Sequence, residues 1–270
     1  MSALSERAVA ELNAIIAPYA AGEAEVVRAY FAQPHPPAEH VELVRRQMGR
    51  EVFCIDWLDR AARLGPGLER TTERHAFVAL LEQIADETRH YAALADVAES
   101  LLGRKLTPEE ALEYKVHAVY DPERPLAEHY NPRLPEANAM IDLMRRHYDE
   151  HGEFAEAVRQ LTEGGAGGSF QEASRLSGDP FRERFAAAMG RIASDELGHG
   201  VLKVRAFAES RVQSDADLAR ATRILREFMA QHLRVRNEIY GYPLSPERLA
   251  AIDRGEIEPW ALPTPATTPA

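Results

Sequence analysis

The sequence predicts an all-α protein: four long helices in two hairpins, joined by one long connection, with extra helices at both ends. Three observations predict it. Ala, Leu, Glu and Arg dominate and β-branched runs are scarce, a composition that favours helix. Apolar residues recur at steps of three and four along almost the whole chain. Pro and Gly clusters at 33–37, 65–67 and 177–180 cut that pattern into long pieces. Short links make antiparallel neighbours, and a single long crossover between two such pairs is a known form of the four-helix bundle.

The elements follow in order. One or two short helices run from about Ser5 to Phe31, before the break Gln33-Pro34-His35-Pro36-Pro37. Helix A spans about Ala38 to Leu64 and ends at Gly65-Pro66-Gly67. Helix B runs from a Thr71 cap to Leu102, with Gly103 as its stop. The long connection, Arg104 to Pro135, holds a short helix opened by Thr107-Pro108-Glu109-Glu110, a good capping sequence. Helix C spans about Glu136 to Leu176. Helix D follows from the Asp179-Pro180 cap to about Ser210, and a fifth helix covers about Asp215 to Val235. Residues 1–258 are expected to form a single helical domain with its four-helix core at about 38–210. The Pro/Thr/Ala-rich tail, 259–270, is expected to be disordered.

Composition narrows the function classes. The net charge of −11 argues against nucleic acid or an anionic membrane as the main partner. Cys54 is the single cysteine, which excludes an intrachain disulfide framework and a cysteine-based zinc or iron–sulfur site. No run approaches the ~20 apolar residues that cross a bilayer. The expected location is the reducing cytoplasm.

Two motifs carry the chemistry. Helix B contains Asp86-Glu87-Thr88-Arg89-His90, and helix D contains Asp195-Glu196-Leu197-Gly198-His199. Both read Asp-Glu-x-x-His, and residues three apart share a helix face. Glu87 and His90 can grip one ion together, as can Glu196 and His199. Their phase turns them inward. Leu81, Ile84, Glu87, Tyr91 and Leu94 follow the apolar stripe of helix B; Phe185, Met189, Ile192, Glu196 and His199 do so in helix D. A buried carboxylate is costly unless it is paired or binds metal.

Helices A and C can add a carboxylate each. Glu51 is the one charged member of the stripe Val41, Val44, Met48, Glu51, Ile55, Leu58, Ala62; Asp56 is a second candidate off that stripe. In helix C the candidate is Glu163, which falls beside the apolar face Leu143, His147, His151, Phe154, Val158, Leu161. A one-residue π-bulge near Leu161 would turn Glu163 inward and let Phe170 continue the stripe. The glycine-rich run 164–168 after it has two readings: room beside a metal for dioxygen or substrate, or close helix packing. Phe53, Cys54, Trp57 and Phe154 read as core packing.

The doubled Asp-Glu-x-x-His, with a Glu upstream of each, resembles the ferritin-like di-iron carboxylate proteins over about Val41 to Phe207. That resemblance implies a ferritin-like four-helix bundle holding two iron ions, with Mn/Fe or Mn/Mn pairs using the same ligands. It implies metal ligation by Glu51, Glu87, His90, Glu163, Glu196 and His199, with Glu87 and Glu196 as bridges. Asp86 and Asp195 would accept hydrogen bonds from the ligating imidazoles. Several members fit poorly. Leu94 stands where the reductase subunit has its radical tyrosine, Ile192 where arylamine N-oxygenases have a third histidine, and Gly167 where multicomponent monooxygenases usually have threonine. Rubrerythrins carry a four-cysteine iron domain, which Cys54 alone cannot supply.

What remains is a di-iron oxidase or oxygenase acting with dioxygen on a small organic substrate. Its electrons would come from a separate reductase or ferredoxin, since no nucleotide fingerprint is present. A homodimer is the candidate assembly. One alternative is a ferritin-like protein that binds or oxidises iron. A remote alternative is a zinc peptidase through His147-Tyr148-Asp149-Glu150-His151, which matches H-x-x-E-H.

Overall fold

A computed structural model describes residues 2–52, 58, 74–116, 120–122 and 124–262. The side chains of residues 74–77, 79–80, 83, 197–199 and 201 lie outside that description, although the helices around them are continuous. Among the described residues every regular element is a helix: α1 Ala3–Phe31, α2 Pro37–Glu51, α3 Arg74–Leu102, α4 Pro108–Leu112, α5 Leu126–His129, α6 Pro135–His151, α7 Glu153–Arg159, α8 Glu163–Ala173, α9 Pro180–Arg211, α10 Asp215–Ile239 and α11 Pro246–Asp253. No described helix is long and apolar enough to cross a membrane.

The start signals in the sequence are used as read. Thr107 and Glu110 form a reciprocal capping box at α4. Asp179 accepts the Phe181 and Arg182 amides at 2.9 Å to open α9. One cap comes from far away: Glu238 of α10 accepts the Glu136 and Ala137 amides at 2.8 and 3.1 Å. That carboxylate satisfies orphan donors at the start of α6 and fixes α6 against α10.

α2 packs on α3, α3 on α9, and α9 on α8, so the two expected hairpins lie side by side. The expected link between them, now holding α4 and α5, crosses the end of α2. Val116 donates its amide to the Gly49 carbonyl at 3.2 Å. A Cβ at Gly49 would lie 2.0 Å from the Tyr114 carbonyl oxygen, so only glycine permits this crossing.

Four expectations change. The N-terminal segment is one helix, α1, despite Pro18 in its interior; its flanks are buried, and packing outweighs the lost backbone bond. It packs on α8, α10 and α9 and supplies part of the main core. Helix C is broken. Gly152 has φ +56°, ending α6 and opening α7, and a 3₁₀ turn at Gln160–Thr162 separates α7 from α8. That turn winds the chain tighter, whereas the expected π-bulge would have loosened it. Leu81 is 47% exposed, and among the described side chains of α3 Ile84 is the first that is buried. Finally, the start of the tail is tied down: the Trp260 amide donates to Ala17 at 3.0 Å, and Arg175 lies over its ring.

Helix A is described to Val52. Phe53, Cys54, Ile55, Asp56, Trp57 and Thr71 lie outside the described residues. Phe154 packs edge-to-face on Phe207, with centroids 5.5 Å apart, as core packing requires.

Candidate metal centre

Glu51 closes the last turn of α2, and Glu87 and His90 sit one turn apart in α3. All three are buried because their helices pack face to face at this level. His90 Nδ1 lies 3.4 Å from Glu87 Oε2 and 3.8 Å from Glu51 Oε2. Both separations fall within twice a ~2.1 Å metal–ligand bond, so one ion could touch all three. Donor atoms of Glu51, Glu87 and His90 lie within 4.8 Å of one another.

The tautomer of His90 follows from its other nitrogen. Nε2 lies 2.9 Å from Asp195 Oδ2, reaching across from α3 to α9. A carboxylate can only accept, so Nε2 carries a proton. Nδ1 is buried, faces two carboxylates, and has no hydrogen-bond partner. Such an atom must hold either a second proton or a cation. Without a metal the proton wins: burial opposes charge on the ring, but Glu51, Glu87 and Asp195 together push the His90 pKa up to about 11.

The other sequence-predicted residues fall around this triad. Burial raises the Glu196 carboxyl to about 8, helped by the charges of Glu163, Glu87 and Glu51. Burial raises Glu87 to about 7, with Glu51 adding to it and His90 opposing. Burial would also raise Glu51, but His90, Arg50 and Gln47 outweigh it and hold this carboxyl low. The raised carboxyls of Glu87 and Glu196 thus sit where neighbouring glutamates add negative charge. A divalent ion offsets that charge.

Glu163 lies in the first turn of α8, half-buried, and its carboxylate pairs with Lys203 of α9. Amphipathic phase could not place it. α8 packs on α1 and α9, and residues 165–170 are all buried, so it has no single apolar face. Asp86 pairs with Arg89, and the side chain of His199 in α9 lies outside the described residues.

The glycine run serves packing. A Cβ on Gly168 would lie 2.0 Å from the Ala20 carbonyl oxygen, and one on Gly200 would lie 3.0 Å from the Gly164 Cα. The backbones of α1, α8 and α9 meet here, so the space is filled by neighbouring helices.

No protein-family model matches this chain. Nor does any curated protein or solved structure.

His147 and His151 share a helix with Glu150, as the peptidase motif requires, but they do not converge. His147 Nε2 bonds Glu227 Oε2 at 3.1 Å, and the two rings stack with centroids 6.0 Å apart. Glu150 is well exposed beside His151. Among the described residues these side chains form no three-ligand group.

Residues that sequence reading passed over lie behind Glu51. Gln47 donates to Glu51 Oε1 at 2.9 Å, and Arg236 donates to Gln47 Oε1 at 2.7 Å. Arg236 also donates through Nε to Glu23 Oε2 at 3.0 Å, and His232 Nδ1 lies 2.6 Å from Glu23 Oε1. The signal for Glu23 was present: it stands in the α1 stripe Leu12, Ile16, Tyr19, Val27, Tyr30, as Glu51 stands in its own.

Proposed function

We propose that this chain is a ferritin-like di-iron protein that oxidises a small organic substrate with dioxygen. One observation carries the reading: His90 commits Nε2 to Asp195 and presents a partnerless Nδ1 to the carboxylates of Glu51 and Glu87. Metal-binding histidines are set up by a carboxylate on the far nitrogen in this way. Glu51, Glu87 and His90 would hold one ion; Glu163, Glu196 and His199 would hold the other. Bound there, iron would supply redox chemistry toward dioxygen, and the same residues would suit manganese.

The chain's own groups set the conditions for that chemistry. Asp195 fixes the tilt and tautomer of His90, and the Nδ1 proton leaves when a cation takes its place. The charge of Glu87 is felt by Glu196, and that of Glu51 by Glu87. The buried aliphatic residues Met48, Ile84, Leu94 and Ile192 line the same level of the helices that carry the ligands and keep water away. The two halves differ, since Lys203 pairs directly with Glu163 whereas the first triad holds its protonated imidazole between two carboxylates. Reducing equivalents would come from a separate protein.

A second reading, iron binding or ferroxidase activity without an organic substrate, is favoured by the closed packing around Gly164, Gly168 and Gly200. Metal analysis of protein purified from iron-replete cells, beside a Glu87→Ala control, tests the shared premise. Up to two equivalents of iron in the parent and a marked loss in the variant are expected; equal metal in both removes the proposal. Oxygen uptake with added ferrous iron alone, against turnover driven by a reductase and trial organic substrates, separates the two readings.

A further inference from the structure

The buried polar chain behind Glu51 joins helices that lie outside the ligand set. Its members are Gln47 on α2, Arg236 and His232 on α10, and Glu23 on α1. Ser169 of α8 adds a hydroxyl to Glu23 Oε2 at 3.2 Å. A buried arginine–glutamate pair is costly to break once formed, yet apolar side chains of the same shape often serve stability as well, which leaves room for a role beyond stability.

The chemistry of the chain allows one orientation of Gln47. If its amide were turned over, the carbonyl would face the Glu51 carboxylate and the amino group would face the Arg236 guanidinium. Both contacts would repel, since a carboxylate cannot donate and a guanidinium cannot accept. As placed, the amino group satisfies Glu51 Oε1. That leaves Oε2 as the oxygen turned toward His90, 3.8 Å from Nδ1. The two oxygens of Glu51 thus have different tasks. Arg236 in turn cannot swing away, because Glu23 holds Nε and the Phe170 ring lies 5.2 Å from the guanidinium carbon.

We propose that Gln47 is the positioning residue for Glu51, anchored through Arg236 to Glu23, so that α1 and α10 set the geometry of the metal ligand on α2. This inference rests on the metal-centre reading above and goes beyond it. Partners of this kind, one bond removed from a metal, change affinity by roughly 10- to 100-fold when lost.

The test is a Co²⁺ titration of the full-length protein, followed by visible absorption, in the parent chain, Gln47→Leu and Glu23→Gln. Thermal melts of the metal-free proteins run alongside, so that affinities refer to folded chains. Gln47→Leu is expected to weaken one binding step by about 10- to 100-fold and alter the spectrum of the ion bound in that step. A second step, where present, stays unchanged. Glu23→Gln is expected to weaken the same step less; it keeps the shape of the buried side chain and reports the role if Gln47→Leu does not fold. Parent-like affinity and spectrum in the folded variants overturn the inference while leaving the metal centre intact. Equal weakening of every step, matched by loss of thermal stability, also overturns it. Failure of the parent chain itself to bind Co²⁺ overturns the metal centre and the inference together.

Discussion

Replacing Glu23 with glutamine should cost stability at neutral pH and flatten the acid limb of the stability curve. Glu23 is fully buried. Burial pushes its carboxyl up, yet His232 and Arg236 outweigh that and hold it at about 2, against an ordinary 4.5. Burial also holds down the proton affinity of His232, so at neutral pH the permanent charge facing Glu23 is Arg236. A tenfold change in proton affinity is worth about 1.4 kcal/mol, so this carboxylate contributes about 3 kcal/mol. The sign follows from the folded pKa lying below the unfolded one. The contribution is complete above about pH 4.5 and is lost as pH falls toward 2. Urea unfolding of the parent and Glu23→Gln from pH 7 to pH 3 measures it by linear extrapolation. The variant should be about 3 kcal/mol weaker at pH 7, and the gap should narrow steadily below pH 4.5. A gap that is absent at pH 7, or that stays constant down to pH 3, would refute the reasoning.

Three further outcomes are expected. Asp195→Ala, which takes the hydrogen-bond acceptor from His90 Nε2, should weaken metal binding by about 10- to 100-fold with the helical circular dichroism unchanged. Gly168→Ala should lower stability by about 1–3 kcal/mol or more, since its Cβ meets a backbone oxygen of Ala20; Gly165→Ala, which meets the mobile end of Met229, should cost less in the same melt. His147→Ala and His151→Ala should keep the parent's metal content, because their rings serve Glu227, Phe228 and Arg223; loss of metal in either would revive the peptidase motif.

Much of the helical plan is written in spacing. The expected helices B and D and the fifth helix match α3, α9 and α10, and the first half of helix A matches α2, because each is amphipathic and carries start or stop residues that act locally. The break at Gly152 was not legible. The flanking residues favour helix, and one interior glycine costs only about 1 kcal/mol, so nothing local announces the positive φ. Glu163 failed for a related reason: residues 165–170 of α8 are buried in an unbroken run, and phase carries information only where buried and exposed positions alternate. Glu51 and Glu87 were legible because charged residues on an apolar stripe are conspicuous, and His90 because it follows Glu87 by three residues on the same helix face. Glu23 and Arg236 satisfy the same rule. They went unread because no short motif drew attention to α1 or α10.

The central claim is that a cation belongs among Glu51, Glu87 and His90. A crystal structure of protein grown in iron-supplemented medium, with anomalous data collected on both sides of the iron edge, tests it most directly. The account predicts an iron peak within bonding distance of His90 Nδ1 and an oxygen of each glutamate, with Asp195 still on Nε2. Well-ordered density with no metal peak there, or a peak at His147 and His151 instead, would contradict it.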